Sequence, residues 1–170
     1  MRTGHVDLSA LGDDWYKNLA YELAEIDNNL LEQYYTLNDG TYATWRDQDK
    51  IYRCFDVPPE VINHVKQQMF DDGDDIGWAM HRTQPGTLVP IHGDHYQFLL
   101  QKNPHKTIDD IERYVIFPED RHPGHIIEVG GELLPTWRRG DWVSWTGLTP
   151  HTIANLGFVP RYSLVATVIR

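Results

Sequence analysis

A mainly β fold preceded by N-terminal helices is what this sequence predicts, and three observations point to it. Beyond residue 73 the apolar period shortens to two, and aromatic and β-branched residues take over. Gly and Pro punctuate the same region at short intervals, at Pro85-Gly86, Pro118, Pro123-Gly124, Gly130-Gly131, Gly140, Gly157 and Pro160. Strands and helices do not alternate there, which argues against a doubly wound parallel sheet. Many short strands at such spacing favour an antiparallel sandwich or barrel.

Taken in order, the first element is a helix. Asp13-Asp14 supplies carboxylates that cap a helix and complement its dipole. Trp15, Leu19, Leu23, Ile26, Leu30 and Leu31 then recur at three- and four-residue spacing, as one buried face requires. Asn38-Asp39-Gly40 ends the segment with turn chemistry. Pro58-Pro59 opens a second helix, with Val61, Ile62, Val65 and Met69 on its apolar side and Asp72-Gly73 at its end. Tyr34-Tyr35 and this second helix are expected to buttress the sheets. Strands are expected at 76–81, 87–91, 114–117, 125–129, 142–146 and 162–169. The chain, 1–170, reads as a single domain, with 1–75 a helical support region and 76–170 the β core.

Composition narrows the partners. The formal net charge is -10 at pH 7, which argues against a nucleic-acid partner held by phosphate contacts. The basic pair Arg138-Arg139 sits beside Gly140-Asp141 and reads as a turn. No apolar run approaches the roughly 20 residues that cross a bilayer. The first residues show no signal-peptide pattern, and Cys54 is the single cysteine, so a cytoplasmic setting is expected. A small molecule or a peptide remains as the expected partner, and the oligomeric state is left open. The run Asp71-Asp72-Gly73-Asp74-Asp75 has the look of a calcium loop. Arg82 stands where such a loop needs its glutamate, so the run reads as a solvated turn.

The chemistry lies in His92, Asp94, His151 and Arg161. Two imidazoles and one carboxylate can hold one face of an Fe(II) ion and leave the other open. A fixed guanidinium can grip a dicarboxylate. His-x-Asp alone is weak evidence: with 9 His and 17 Asp in 170 residues, about one such triplet arises by chance. His5-Val6-Asp7 is a second copy, expected to fray at the terminus with no strand to hold it. His92 instead ends the apolar run Leu88-Val89-Pro90-Ile91, and Gly93 is expected to let the chain turn so that His92 and Asp94 converge. Arg161 and Ser163 share one face of the last strand.

The order His-x-Asp, His, then Arg with Ser two residues later resembles the Fe(II)- and 2-oxoglutarate-dependent oxygenase superfamily. The stretch from Trp137 through Pro150-His151 to Arg161 is similar to the C-terminal half of its prolyl-hydroxylase-like and aspartyl/asparaginyl-hydroxylase-like branches. Arg113 to Asp120 resembles a stretch of short oxygenases encoded by marine phages, which suggests a viral or bacterial member. The resemblance spans roughly residues 76 to 170. It implies a double-stranded β-helix (jelly-roll, cupin-like) with iron near one open end. Residue by residue, it implies His92, Asp94 and His151 as iron ligands and catalytic centre. Arg161, helped by Ser163, would pair with the distal carboxylate of 2-oxoglutarate, and Arg113 would open a strand facing that co-substrate. Val115 stands where the aspartyl/asparaginyl branch has a histidine, and that branch tends to lack the carboxylate ligand. Asp94 therefore makes the metal site more like the prolyl-hydroxylase type.

The implied reaction consumes O2, converts 2-oxoglutarate to succinate and CO2, and hydroxylates a small molecule or peptide side chain. Asn155 falls on the same face as His151 four residues earlier; it counts as a cofactor-binding candidate, or else as a turn-former before Gly157. Trp78, Trp137, Trp142 and Trp145 floor a pocket or fill core. His95, His105, His122 and His125 are spare, with His125 at a strand start that could face the cavity. Two alternatives stand beside this reading: a cupin-like metalloenzyme that does not use 2-oxoglutarate, and a non-catalytic ligand-binding barrel.

Overall fold

The computed structural model describes residues 1–24, 36 and 51–170. Its strands are β1 Arg2–His5, β2 Glu22–Leu23, β3 Ile51–Cys54, β4 Asp75–Thr83, β5 Thr87–His92, β6 Ile111–Ile116, β7 His125–Val129, β8 Glu132–Leu133, β9 Asp141–Thr146, β10 His151–Asn155 and β11 Arg161–Ile169. Seven form one sheet in the order β1-β9-β6-β11-β4-β3-β2, and four form a second in the order β5-β10-β7-β8. Every pairing is antiparallel. Among the described residues no ladder joins the sheets, so the architecture is a jelly-roll-like pair of sheets.

Period-two alternation explains how β11 serves both sides of the large sheet. Leu164, Ala166 and Val168 pack outward, toward the Pro59–Met69 helix and the N-terminal segment. Val165 faces the second sheet and joins Val115, Phe117, Ile127, Val129, Trp137, Val143 and Trp145 in the inter-sheet core. Phe117 is fully buried there and stacks on Trp137 at 4.3 Å between ring centroids. Burying a ring of that size contributes about 2–3 kcal/mol.

The helix expected after Pro58 is present as Pro59–Met69, with Pro59 in its first turn, Glu60 near its N-terminus and Lys66 near its C-terminus. Val61 and Val65, one turn apart, are buried against Cys54, Val57 and Tyr16. Its outer face is tied down as well: the Gln68 amide donates to the Asp7 carbonyl at 3.0 Å.

The first helix is a correction. Residues 13–19 form turns, and Glu22–Leu23 pairs with Tyr52–Arg53 as strand β2. Arg139 supplies the physical reason. Its Nη2 takes the carbonyls of Leu8 (2.9 Å) and Leu11 (2.6 Å), and its Nη1 pairs with Asp13, which draws that carboxylate away from a cap. Trp15, Tyr16 and Leu19 still reach the core, but from turns. Ile26, Leu30, Leu31, Tyr34-Tyr35 and Asn38-Asp39-Gly40 lie outside the described residues. The expectation for His5 is also corrected: it ends β1, which pairs with β9, and its Nδ1 lies 2.9 Å from Asp141 Oδ1. Gly140 makes that approach possible, since a Cβ there would meet the Val6 carbonyl at 2.3 Å. The acidic run at 71–75 forms a turn, with Asp74 N–H donating to the Asp71 carbonyl at 3.1 Å. No helix among the described residues is long and apolar enough to cross a membrane.

Candidate metal centre between the sheets

His92 is the last residue of β5 and His151 the first of β10, and the two strands pair so that these residues stand directly opposite each other. Their rings lie 4.3 Å apart between centroids. Each ring is fixed from behind by backbone: His92 Nδ1 lies 2.8 Å from the Pro90 carbonyl and His151 Nδ1 3.0 Å from the Thr149 carbonyl. A carbonyl only accepts, so both Nδ1 atoms carry the proton and both Nε2 lone pairs are left for a metal. Asp94 completes the group, with Oδ1 3.7 Å from His92 Nε2 and Oδ2 3.6 Å from His151 Nε2. Candidate ligand atoms of the three residues lie within 4.8 Å of one another. Two imidazoles and one carboxylate on one side form the 2-His-1-carboxylate triad that suits Fe(II).

Gly93 works differently from the expectation. It does not adopt a left-handed backbone. A Cβ on it would sit 2.8 Å from the Leu148 carbonyl, so its role is close approach to the turn that leads into His151. Among the described non-glycine residues the left-handed one is Tyr96, at φ 51, just before the Gln97–Lys102 helix. Such a conformation costs a non-glycine residue about 1 kcal/mol or more. It coincides here with the Tyr96 ring lying under the Arg113 guanidinium, 5.0 Å from centroid to Cζ.

Arg113, expected at the co-substrate, pairs with the metal-site carboxylate: its Nε is 3.1 Å from Asp94 Oδ2. Burial alone would raise the Asp94 carboxyl, but Arg113 and the two imidazoles outweigh it and hold Asp94 well below the usual carboxylate range. Asp94 is therefore an anion ready to bind a cation. Burial pushes His151 down to about 4, against an opposing pull from Asp94.

The cavity beside the triad lies between the sheets. Val89, Ile127 and Ile153 line it from the small sheet, and Arg53, His81, Arg161, Ser163 and Val165 from the large one. Trp145 closes one side and packs its ring 4.6 Å from that of His151. Arg161 is 3 % exposed. It donates to the Ile126 carbonyl and to Thr83 Oγ1, both at 3.3 Å, while its Nε has no partner. No carboxylate among the described residues pairs with it, and burial lowers it to about 10. The Ser163 hydroxyl, on the same face, is also buried without a partner among the described residues. A buried cation beside an unsatisfied hydroxyl is costly unless an anion joins them.

The structure thus brings His92, Asp94, His151, Arg113, Arg161 and Ser163 to one cavity. It does not bring Asn155 there. Asn155 is fully buried, donates to the Thr83 and Val159 carbonyls at 2.9 Å each, and accepts from Gly157 N–H at 3.0 Å. Since Thr83 also holds Arg161, Asn155 sits one bond behind that guanidinium. His125 is 1 % exposed and directs Nε2 to the Val159 carbonyl at 3.2 Å, away from the cavity lining. Of the four tryptophans, Trp145 reaches the cavity, Trp137 lies in the inter-sheet core, and Trp78 and Trp142 pack against the core on the outer face of the large sheet. Arg53, His81 and Tyr96 were not among the sequence candidates. Period-two counting gives His81 away: it shares a face of β4 with Thr83, and the ladder sets it opposite Ser163.

A solved structure supplies the comparison for this geometry. A 2OG-Fe(II) oxygenase family oxidoreductase from Burkholderia pseudomallei aligns over 92% of this chain and 76% of that one, with TM-score 0.57 and 15% identity. The two proteins share a fold. A cupin domain of a transcriptional regulator from Enterobacter cloacae aligns over 71% of this chain and 96% of that one, with TM-score 0.43 and 13% identity. A predicted oxalate decarboxylase from Thermotoga maritima covers 71% and 82%, with TM-score 0.42 and 14% identity. No protein-family model and no curated protein matches the chain.

The buried histidines set a pH response. Burial pushes His125, like His151, down to about 4, whereas an unfolded chain takes up these protons near 6.5. Below 6.5 the unfolded state therefore binds more protons than the folded one. Stability is complete above 6.5 and is lost as pH falls toward 4, by at most about 3 kcal/mol per histidine. Metal-free protein should melt at a clearly lower temperature at pH 5 than at pH 7.5, and His125→Gln should flatten that slope. A melting temperature independent of pH over this range would contradict the assignment of both histidines as buried and neutral.

Proposed function

We infer that the chain is an Fe(II)- and 2-oxoglutarate-dependent oxygenase that hydroxylates a small molecule or peptide side chain. The observation that carries this reading is the pairing of the triad with Arg161 in one cavity. A metal site alone suits many enzymes. A second guanidinium beside it, buried and with no carboxylate partner among the described residues, suits a co-substrate with a carboxylate at each end. The shared fold supports a double-stranded β-helix scaffold, and fold alone does not fix function.

When bound, the iron supplies the activation of O2 that couples 2-oxoglutarate breakdown to succinate and CO2 with transfer of one oxygen atom to the substrate. His92, Asp94 and His151 would hold it. Arg161 and Ser163 would take the distal carboxylate and fix the length at which the 2-oxo acid reaches the metal. Arg113 would keep the Asp94 carboxylate charged and in one orientation, with Tyr96 covering it from water. Val89, Ile127, Ile153 and Val165 would keep the cavity dry, which strengthens each of these charge pairs.

Purified protein given Fe(II), 2-oxoglutarate and air should release succinate slowly even without a primary substrate. It should also show a 2-oxoglutarate-dependent rise in melting temperature. Absence of both would leave the cupin-like or ligand-binding alternatives in place.

A further inference from the structure

Trp145 is a donor without an acceptor. Its side chain is 6 % exposed, it lines the cavity beside the triad, and its indole Nε1 is buried with no hydrogen-bond partner among the described residues. Burying an indole N–H unpaired is destabilising, and a buried tryptophan usually finds a partner. The adjacent His151 ring, 4.6 Å away between centroids, offers none: its Nδ1 is turned to the Thr149 carbonyl and its Nε2 to the metal site. Asp94, the one carboxylate lining the cavity among the described residues, is held by Arg113 and flanked by the two imidazoles. The acceptor that suits the Trp145 N–H therefore comes with a ligand.

Strand register says which ligand, and which end of it. Trp145 stands opposite Arg113 on β6, and Arg113 stands opposite Thr167 on β11. Residues directly opposite share a face of the sheet. Arg161 opens β11 six residues before Thr167, on that same face. Trp145 is thus at the triad end of the cavity, against His151, and Arg161 and Ser163 are at the other end. A broad groove outside the cavity, walled in part by Tyr96, Phe98 and Thr167, meets it at Asp94 and Arg113, and Trp145 does not line that groove. A molecule in the groove meets Tyr96 and Phe98 instead. A molecule that spans the cavity from Arg161 to the triad meets Trp145.

We propose that Trp145 is a second anchor of the co-substrate: its indole N–H donates to the carboxylate at the 2-oxo end, while Arg161 and Ser163 hold the distal carboxylate. An anionic acceptor suits this donor best, because charge-assisted hydrogen bonds are about twice as strong as neutral ones. Holding both ends stops the acid from turning about its long axis, so the oxygens it offers to the metal keep one orientation. The proposal rests on the oxygenase reading and assigns to that same site a residue otherwise explained only as packing.

The test uses the full chain loaded with Zn(II), which accepts imidazole and carboxylate ligands and has no redox chemistry. Two acids are titrated by calorimetry: 2-oxoglutarate, and 2-oxobutyrate, which keeps the 2-oxo acid end and lacks the distal carboxylate. Trp145→Phe keeps a ring against His151 and removes only the N–H donor. It should weaken both acids by a similar factor, about tenfold or more, and leave Zn(II) affinity within about threefold. Arg161→Met should do the reverse of this pattern between the acids, weakening 2-oxoglutarate and sparing 2-oxobutyrate. Unchanged affinities in Trp145→Phe, a loss confined to 2-oxoglutarate, or a loss of Zn(II) affinity that accounts for the whole effect would each overturn the proposal. The last outcome would make Trp145 a support for His151 alone. A second readout needs no variant. Of the indole N–H signals of the 6 tryptophans in a nitrogen-15 correlation spectrum, one should move downfield when either acid is added to the Zn(II)-loaded chain. No indole shift with either acid would overturn the proposal even if Trp145→Phe fails to fold. A native chain that binds 2-oxoglutarate but not 2-oxobutyrate would overturn it too, since the near end would then contribute nothing measurable. Failure of the native chain to bind 2-oxoglutarate would instead overturn the oxygenase reading, and this proposal with it.

Discussion

Arg161→Met should raise the stability of the ligand-free protein and at the same time abolish its response to 2-oxoglutarate. The two effects have opposite signs because the guanidinium is buried with no anionic partner among the described residues. Replacing such a charge with an apolar side chain of similar length removes a desolvation cost, worth about 1–3 kcal/mol at neutral pH. For a chain of this length that is a rise of several degrees in melting temperature, at about 2–4 °C per kcal/mol. The freed Thr83 hydroxyl and Ile126 carbonyl offset part of the gain, since both accept from Arg161. With 2-oxoglutarate present the order should reverse: the native chain is stabilised and the variant is not. Truncating one partner of a buried charge pair typically costs 2–5 kcal/mol, so the affinity should drop by roughly 30-fold to several thousand-fold. Thermal melts with and without 2-oxoglutarate read both effects. A variant that melts lower than the native chain and still responds to 2-oxoglutarate would show Arg161 to be a structural residue.

His151→Ala should remove metal binding while leaving the fold intact. Loss of an outer partner of a metal ligand already costs 10- to 100-fold in affinity, so loss of a ligand should cost roughly 100-fold or more. The side chain sits at a strand end, and Trp145 packs on it, so some stability is also lost. The check is a Co(II) titration followed by visible absorption, alongside circular dichroism. Intact far-ultraviolet signal with absent metal bands supports the assignment. Metal bound as tightly as in the native chain would remove His151 from the ligand set.

Much of the β core was legible because its strands alternate. The expected strand at 125–129 matches β7, and those at 76–81, 87–91 and 142–146 fall within β4, β5 and β9. His92, His151 and Arg161 were legible because each stands at a strand end, where a small set of ladders brings it to the cavity, and Asp94 follows His92 by two residues. What sequence could not show is what side chains do across long distances. Arg139 captures the carbonyls of Leu8 and Leu11, which turns a helical pattern at 13–23 into turns and a short strand. Asn155 looked like a cavity residue by alternation, yet its amide is consumed by two backbone carbonyls. Arg113 looked like a co-substrate residue, but its position next to Asp94 depends on a loop between β5 and the Gln97–Lys102 helix. Tyr96 shows the same limit, since nothing local marks a tyrosine for a left-handed backbone.

The pairing of His151 against His92 has a consequence for how the protein matures. Those residues belong to strands far apart in sequence, and they meet only after β10 has docked on β5 in the correct register. A slip of one residue would turn one imidazole to the other face of the sheet and dissolve the site. Long-range ladders of this kind close late, because the chain between them must first be ordered. A metal held by the triad would therefore not nucleate folding; it would bind the finished molecule and stabilise it by mass action. Refolding without metal should reach the same structure at a similar rate, and a chelator should speed unfolding while leaving the folding rate almost unchanged.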